Sequence, residues 1–240
     1  MRGMNPGTIL QKEDCEIART PEDLIAWIES VEARFEADDA AKDYVREEEQ
    51  RLIKAFYEEI RPLGHLARHK YLGRPGFYLR PKIGNQPYDA EIIHTSSGDE
   101  HIQRVEFTST YRDYNLDLRM EHLVQHGEVF MTGSVGRDGT KASGGQVQVH
   151  ADFVDHQILL DGLVATCDER VANKLGNDYA PGTLLAIVFN DFILYPTDRP
   201  QITQYFSDTL SKQALSKFCG IFILGASGRT FWEFGETDLT

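Results

Sequence analysis

Cysteine, long apolar runs and positive charge are all scarce in this chain of 240 residues. Its three cysteines, Cys15, Cys167 and Cys219, form no CxxC pair, which argues against a disulfide framework or a zinc ribbon and favours a cytoplasmic location. No apolar run reaches the roughly 18 residues of a membrane span, and the first residues lack the apolar stretch of a secretory signal. We therefore expect no membrane partner.

The charge balance limits the class of partner. Lys and Arg number 25 against 38 Asp and Glu, which gives a formal net charge of −13. This balance argues against a general nucleic-acid coat protein. It does not exclude an enzyme that acts on nucleic acid, because the location of the positive charge decides binding.

The basic residues are concentrated in one segment. Residues 61–82 contain no acidic residue and six basic residues, namely Arg61, Arg68, Lys70, Arg74, Arg80 and Lys82. One interpretation is a nucleic-acid-binding stripe in which Arg68, Lys70, Arg74, Arg80 and Lys82 face phosphates. The other is a solvated connection between a helix and a strand, and three prolines indicate that much of it is not regular helix.

The pattern of apolar residues predicts an α/β fold. Three- and four-residue spacing predicts helices over about 21–37, 40–60, 113–125, 149–175 and 201–218. Alternation and apolar runs predict strands over 77–80, 88–93, 102–108, 184–189, 221–224 and 230–234. The glycine-rich residues 132–146 are expected to form a mobile loop. We therefore expect a mixed central sheet flanked by helices over residues 40–240. Residues 1–39 would form an N-terminal helical extension, which either joins this core or serves as an arm in a homodimer.

Two acidic residues on neighbouring predicted strands are the main chemical signal. If the strands are antiparallel neighbours, Asp89 and Glu106 meet at one edge of the sheet. Two carboxylates held together repel each other unless a cation or a proton lies between them. Hard oxygen ligands suit Mg²⁺ or Mn²⁺, which can activate water and stabilise a phosphodiester transition state.

The helix with an inward Glu49, then Pro87-Tyr88-Asp89 and Val105-Glu106-Phe107-Thr108, resembles the restriction-endonuclease-like superfamily of PD-(D/E)XK nucleases. The resemblance spans residues from about 40 to 190. It implies that Asp89 and Glu106 hold a divalent metal ion, and that Glu49 is the first-helix acid found in many members. The family's lysine, two residues after the second acid, is replaced here by Thr108. Because some members move this function to a neighbouring helix, Arg112 and Arg119 are the candidates to replace it.

Three functions follow, and the sequence does not decide between them. The first is a metal-dependent nuclease-like protein that hydrolyses DNA or RNA, with Asp89, Glu106, Thr108, Glu49, Arg112 and Arg119 as its site. The second is a catalytically inactive protein that keeps the fold for regulatory or scaffolding binding. The aligned acids favour the enzyme, whereas the missing lysine and the net charge favour the binding protein. A third, an acidic partner of a basic protein, rests on net charge alone.

Overall fold

A six-stranded mixed sheet forms the centre of the protein. The structure is a computed structural model that describes residues 10–37, 51–110, 114–130, 133–140, 144–152 and 154–238. The strands of the sheet are β1 Phe77–Pro81, β2 Ala90–Ser96, β3 Asp99–Ser109, β6 Leu184–Phe189, β7 Gly220–Gly225 and β8 Phe231–Gly235, in that spatial order. β1, β2 and β3 form an antiparallel meander, β6 pairs parallel to β3, and β7 pairs parallel to β6. β8 is the last strand of the sheet and pairs antiparallel to β7.

This topology confirms the predicted mixed α/β class. The strand that contains Glu106 is adjacent and antiparallel to the strand that follows Asp89, and residues 184–189 lie in the same sheet.

Helices cover both faces of the sheet. They are α1 Lys12–Cys15, α2 Pro21–Ala37, α3 (residues 51–71), α4 Tyr114–His126, α5 His156–Leu175 and α6 (residues 199–214). In β6, the side chains of Leu184, Ala186 and Val188 pack in the core formed with α2 and α3. Those of Leu185, Ile187 and Phe189 pack in the core formed with α5 and α6. Because successive strand residues point to opposite faces, this double coverage explains the unbroken apolar run. Within the described residues, no helix has the length and apolarity that crossing a bilayer requires.

Residues 10–37 belong to the same core as the sheet. Thr20 Oγ1 accepts a hydrogen bond from Asp23 N at 3.2 Å, so it caps the start of α2 as its position before Pro21 predicts. α2 buries Leu24, Ile28, Val31 and Phe35, spaced three or four residues apart, within the α2–α3 core.

α3 extends further than the sequence predicts. It runs through Pro62 to residue 71, so the predicted helix end near residue 60 is wrong, whereas residues 72–82 are not helical, as the prolines predict. Two wide turns occur in it: Arg61 N donates to Phe56 O, and Leu72 N donates to Ala67 O at 2.9 Å. A wide turn before Pro62 is one way to accommodate a residue that lacks an N–H. Burial of Leu63, Leu66, Ala67 and Tyr71 in the core stabilises the extension.

The segment before α5 also differs from the prediction. Strands β4 Val135–Arg137 and β5 Val147–Val149 form a separate antiparallel pair, so β4 lies within the predicted mobile loop. The helix expected from Val149 begins only at His156. Its start is fixed by Asp155, whose carboxylate accepts a hydrogen bond from Gln157 N at 2.8 Å.

Candidate functional site

The first carboxylate lies just before β2 begins, beside the end of β3. β2 starts at Ala90, opposite Val105, whereas β3 continues to Ser109 paired with β6. Asp89 N donates to Val105 O at 2.9 Å, and Asp89 Oδ2 accepts from Phe107 N at 2.7 Å. The Asp89 carboxylate therefore bonds the Phe107 amide, which lies just beyond the pairing of β2 with β3. This bond fixes the Asp89 carboxylate beside Glu106.

A polar cavity of about 470 Å³ opens at this point. α3, β3, α4 and α5 all contribute to its walls, together with Asp89. Its charged lining residues are the acids Glu58, Glu59, Asp89 and Asp117 and the bases Lys54, Arg170 and Lys174. A cavity of this size and polarity can admit a charged group such as a phosphodiester.

The second carboxylate forms an ion pair with a lysine of α5. Lys174 Nζ donates to Glu106 Oε1, and the Tyr179 hydroxyl donates to the same oxygen at 3.4 Å. The side chains of Glu106 and Lys174 are 10% and 23% exposed. Burial alone would lower the pKa of Lys174, but the hydrogen bond and charge of Glu106 outweigh it, so the pKa is raised and the ammonium stays charged.

The carboxylates of the cavity repel one another. Burial is the main cause that raises the pKa of Asp89 from 3.8 to about 7, and the charge of Glu106 adds to it. Burial, followed by the charge of Asp89, raises the pKa of Glu59 from 4.5 to about 8. Each acid would lose its proton more readily if a cation lay among them. Lys174 lowers both pKa values but does not offset the burial and mutual repulsion of these acids.

The donor set fits a hard divalent cation, with solvent completing its coordination. In the described ranges, no group of three or more His, Cys, Asp or Glu side chains is arranged to hold a metal ion. Asp89 and Glu106 offer two carboxylates beside an open polar cavity. Mg²⁺ commonly binds proteins through one or two carboxylates and takes its remaining ligands from water and substrate phosphates.

The other predicted site residues are more scattered. Thr108 is buried and lines the cavity beside Lys174. Arg119 is not among the lining residues and donates instead to the carbonyls of Phe130 and Gly133, at 2.6 and 2.5 Å. Glu49 and Arg112 lie outside the described residues. The structure thus brings Asp89, Glu106 and Thr108 together, with Glu59 and Lys174 as acid and base that the sequence analysis missed.

The basic segment is largely neutralised by acids of the same chain. Lys70 is buried and pairs with Glu233, with Asp238 at 3.2 Å, and with Thr237 Oγ1 at 2.7 Å. Its ammonium therefore does not face solvent, contrary to the predicted phosphate contact. Arg68 pairs with Glu29 at 2.7 Å, Arg74 with Asp238 at 3.5 Å, and Arg80 Nε with Glu91 at 2.7 Å. Lys82 is partly exposed. These pairs favour the interpretation of the segment as structural.

The geometry can therefore bind a hard cation between two carboxylates and present a lysine beside it. It can also admit a phosphate to a polar cavity with further cations on its walls. No family model, curated protein or solved structure matches this chain.

Proposed function

We propose that this protein is a divalent-metal-dependent nuclease that hydrolyses phosphodiester bonds in DNA or RNA, with a restriction-endonuclease-like core. The main support is that Asp89 and Lys174 line one cavity and that Lys174 bonds to Glu106 beside it. The order of helix, antiparallel meander, helix and parallel strand also agrees with that core. The lysine that the sequence lacks at Thr108 is supplied from α5.

Asp89 and Glu106 would hold Mg²⁺ or Mn²⁺. Such an ion would supply Lewis-acid stabilisation of a phosphoryl oxygen and lower the pKa of a bound water. Asp89 is suited to this role because its second contact, to Phe107 N, fixes its orientation.

The remaining roles follow from position. Lys174 orients the attacking water and offsets the charge that develops on the phosphate, in place of the family's strand lysine. Thr108 offers a hydroxyl to the water or the phosphate. Glu59 lines the same cavity; the charge of the bound ion would favour its carboxylate form, which would accept the proton of the attacking water. Lys54 and Arg170 line the same cavity and attract the substrate backbone.

Cleavage assays with wild type and Glu106→Gln test the proposal. Wild type should cleave at least one single- or double-stranded DNA or RNA substrate when Mg²⁺ or Mn²⁺ is added. Glu106→Gln should abolish cleavage, because glutamine keeps the shape but removes the charge that holds the ion. Glu169→Gln, the same change at an exposed position of α5, is the control and should retain full activity.

A second experiment tests the relocation of the lysine. Lys174→Met should abolish cleavage, and adding Thr108→Lys should restore part of it, because both positions line the same cavity. Thr108→Lys alone should not raise the wild-type rate, since the new ammonium would lie near that of Lys174.

The alternative is a non-catalytic binding protein of the same fold. It would be favoured if wild type is inert on every substrate and calorimetry detects no divalent-metal binding.

A further inference from the structure

Glu106 accepts a second hydrogen bond, which has no role in the proposed reaction. The Tyr179 hydroxyl donates to Glu106 Oε1 at 3.4 Å, the oxygen that also accepts from Lys174. Tyr179 lies between α5 and β6, five residues after Lys174. The same hydroxyl accepts a hydrogen bond from Asn177 Nδ2 at 3.3 Å. The hydroxyl oxygen accepts from Asn177 through a lone pair, and its single proton is donated to Glu106.

The ring of Tyr179 is held in place independently of this contact. It packs against Phe218 with ring centroids 5.0 Å apart, and Lys217 Nζ lies 5.7 Å from its centroid. A tyrosine phenol keeps its proton at neutral pH, so the hydroxyl remains a donor. The hydroxyl oxygen therefore has a fixed position, which the ammonium of a flexible lysine side chain lacks.

Lys174 cannot serve Glu106 fully throughout the proposed reaction. In the structure its ammonium neutralises Glu106. Lys174 already lines the cavity, and in the proposed reaction its ammonium would be shared between the phosphate and Glu106, which weakens its bond to Glu106. A ligating carboxylate that loses its hydrogen-bond partner loses orientation, and outer partners of metal ligands commonly affect affinity for this reason.

We propose that Tyr179 is a positioning residue of the site: its hydroxyl holds the Glu106 carboxylate in the metal-binding orientation while Lys174 turns to the substrate phosphate. This inference rests on the proposed metal-dependent function. It assigns Tyr179 an effect on the metal ion through Glu106, without contact to the substrate.

Calorimetric titration with Mn²⁺ in the absence of nucleic acid tests the role. Tyr179→Phe keeps the ring against Phe218 and removes only the hydroxyl. It should weaken Mn²⁺ binding roughly tenfold or more, with an unchanged melting temperature in EDTA. With Mn²⁺ saturating, kcat should fall while KM for the nucleic acid stays constant.

Tyr205→Phe is the matched control. Its hydroxyl also donates to a carboxylate, that of Asp168, at 2.8 Å, but Asp168, unlike Glu106, is not a proposed metal ligand. Tyr205→Phe should leave Mn²⁺ affinity unchanged. A second comparison uses Lys174→Gln as background, in which Tyr179→Phe should still weaken Mn²⁺ binding, because the hydroxyl acts on Glu106 directly.

The outcomes separate this role from the proposed function. If wild type binds Mn²⁺ and Tyr179→Phe binds it equally well, Tyr179 has no positioning role and the metal site stands. The role is also refuted if the loss of affinity disappears in the Lys174→Gln background, since Tyr179 would then act through the lysine. If wild type binds no Mn²⁺, the metal-dependent function fails and the role of Tyr179 fails with it.

Discussion

Replacing Asp89 by Asn should stabilise the metal-free protein at neutral and alkaline pH. The substitution removes one negative charge from a crowded cavity, while the side-chain oxygen of Asn can still accept the Phe107 amide. The burial of charge and the carboxylate repulsion that raise the pKa of Asp89 are then relieved without loss of the backbone contact. The same change should abolish stabilisation by divalent metal, because a metal ligand has lost its charge.

The size and pH range of the effect follow from the pKa. The folded protein holds the proton of Asp89 more tightly than the unfolded chain, since burial and Glu106 raise the pKa from 3.8 to about 7. The stability that this proton gives is complete below pH 3.8 and is lost as pH rises through about 7. At about 1.36 kcal/mol per pH unit, the cost of the ionised Asp89 above pH 7 is at most about 4 kcal/mol. Asp89→Asn should recover about 1–4 kcal/mol of it, a rise of roughly 3–12 °C in melting temperature.

Thermal unfolding in EDTA, followed by circular dichroism from pH 4 to 9, measures the effect. The gain should be absent near pH 4, grow between pH 4 and 7, and level off above that. Asp208→Asn is the control, since Asp208 is 57% exposed and pairs with Lys212 at 3.8 Å, so it should shift stability by less than about 0.5 kcal/mol at any pH. Destabilisation by Asp89→Asn at all pH values, or an equal gain at pH 4 and pH 8, would refute the reasoning.

Three further changes give distinct results. Glu59→Gln should also stabilise the metal-free protein, but the gain in stability should keep growing up to pH 8, because the pKa of Glu59 is raised to about 8. The same series of thermal melts measures this gain, and a gain that levels off by pH 6 would contradict the prediction. Lys174→Met should lower the free energy of unfolding by about 1–3 kcal/mol in urea titrations, since it leaves Glu106 without its counter-charge, and an unchanged midpoint would contradict the ion pair. Lys70→Met should cost about 1–3 kcal/mol, because the lysine side chain is buried although Glu233 and Asp238 are 31% and 70% exposed. Arg68→Met should cost less than about 1 kcal/mol, because Arg68 is 50% exposed; equal losses would contradict the burial of Lys70.

The sheet could be predicted from the sequence because its signals are local. Alternation in residues 102–108 and the apolar run 184–189 report directly on which faces are covered, and both segments are strands in one sheet. The meander then places Asp89 beside Glu106 through its register alone. This half of the candidate site follows from strand pairing.

The other half depends on tertiary contact. Lys174 is 68 residues from Glu106 in sequence and reaches it only because α5 packs on the sheet. One signal was available: Lys174 follows Cys167 and Val171 at four- and three-residue steps, so it continues the buried stripe of α5. Glu59 shows the same signal, three residues after the buried Phe56. A charged residue at a stripe position indicates either a helix end or a functional site.

The wrong boundaries have physical causes as well. Pro62 suggests a helix end by its missing N–H, but wide turns and burial of the following residues outweigh its cost. The glycine-rich residues 132–146 lack an apolar pattern, so the sequence does not indicate a strand at β4. Its strand structure is evident only from its pairing with β5.

A crystal soaked with Mn²⁺ tests the central claim most directly. Anomalous density should appear about 2 Å from carboxylate oxygens of both Asp89 and Glu106. Absence of density between these carboxylates at saturating Mn²⁺ would contradict the account.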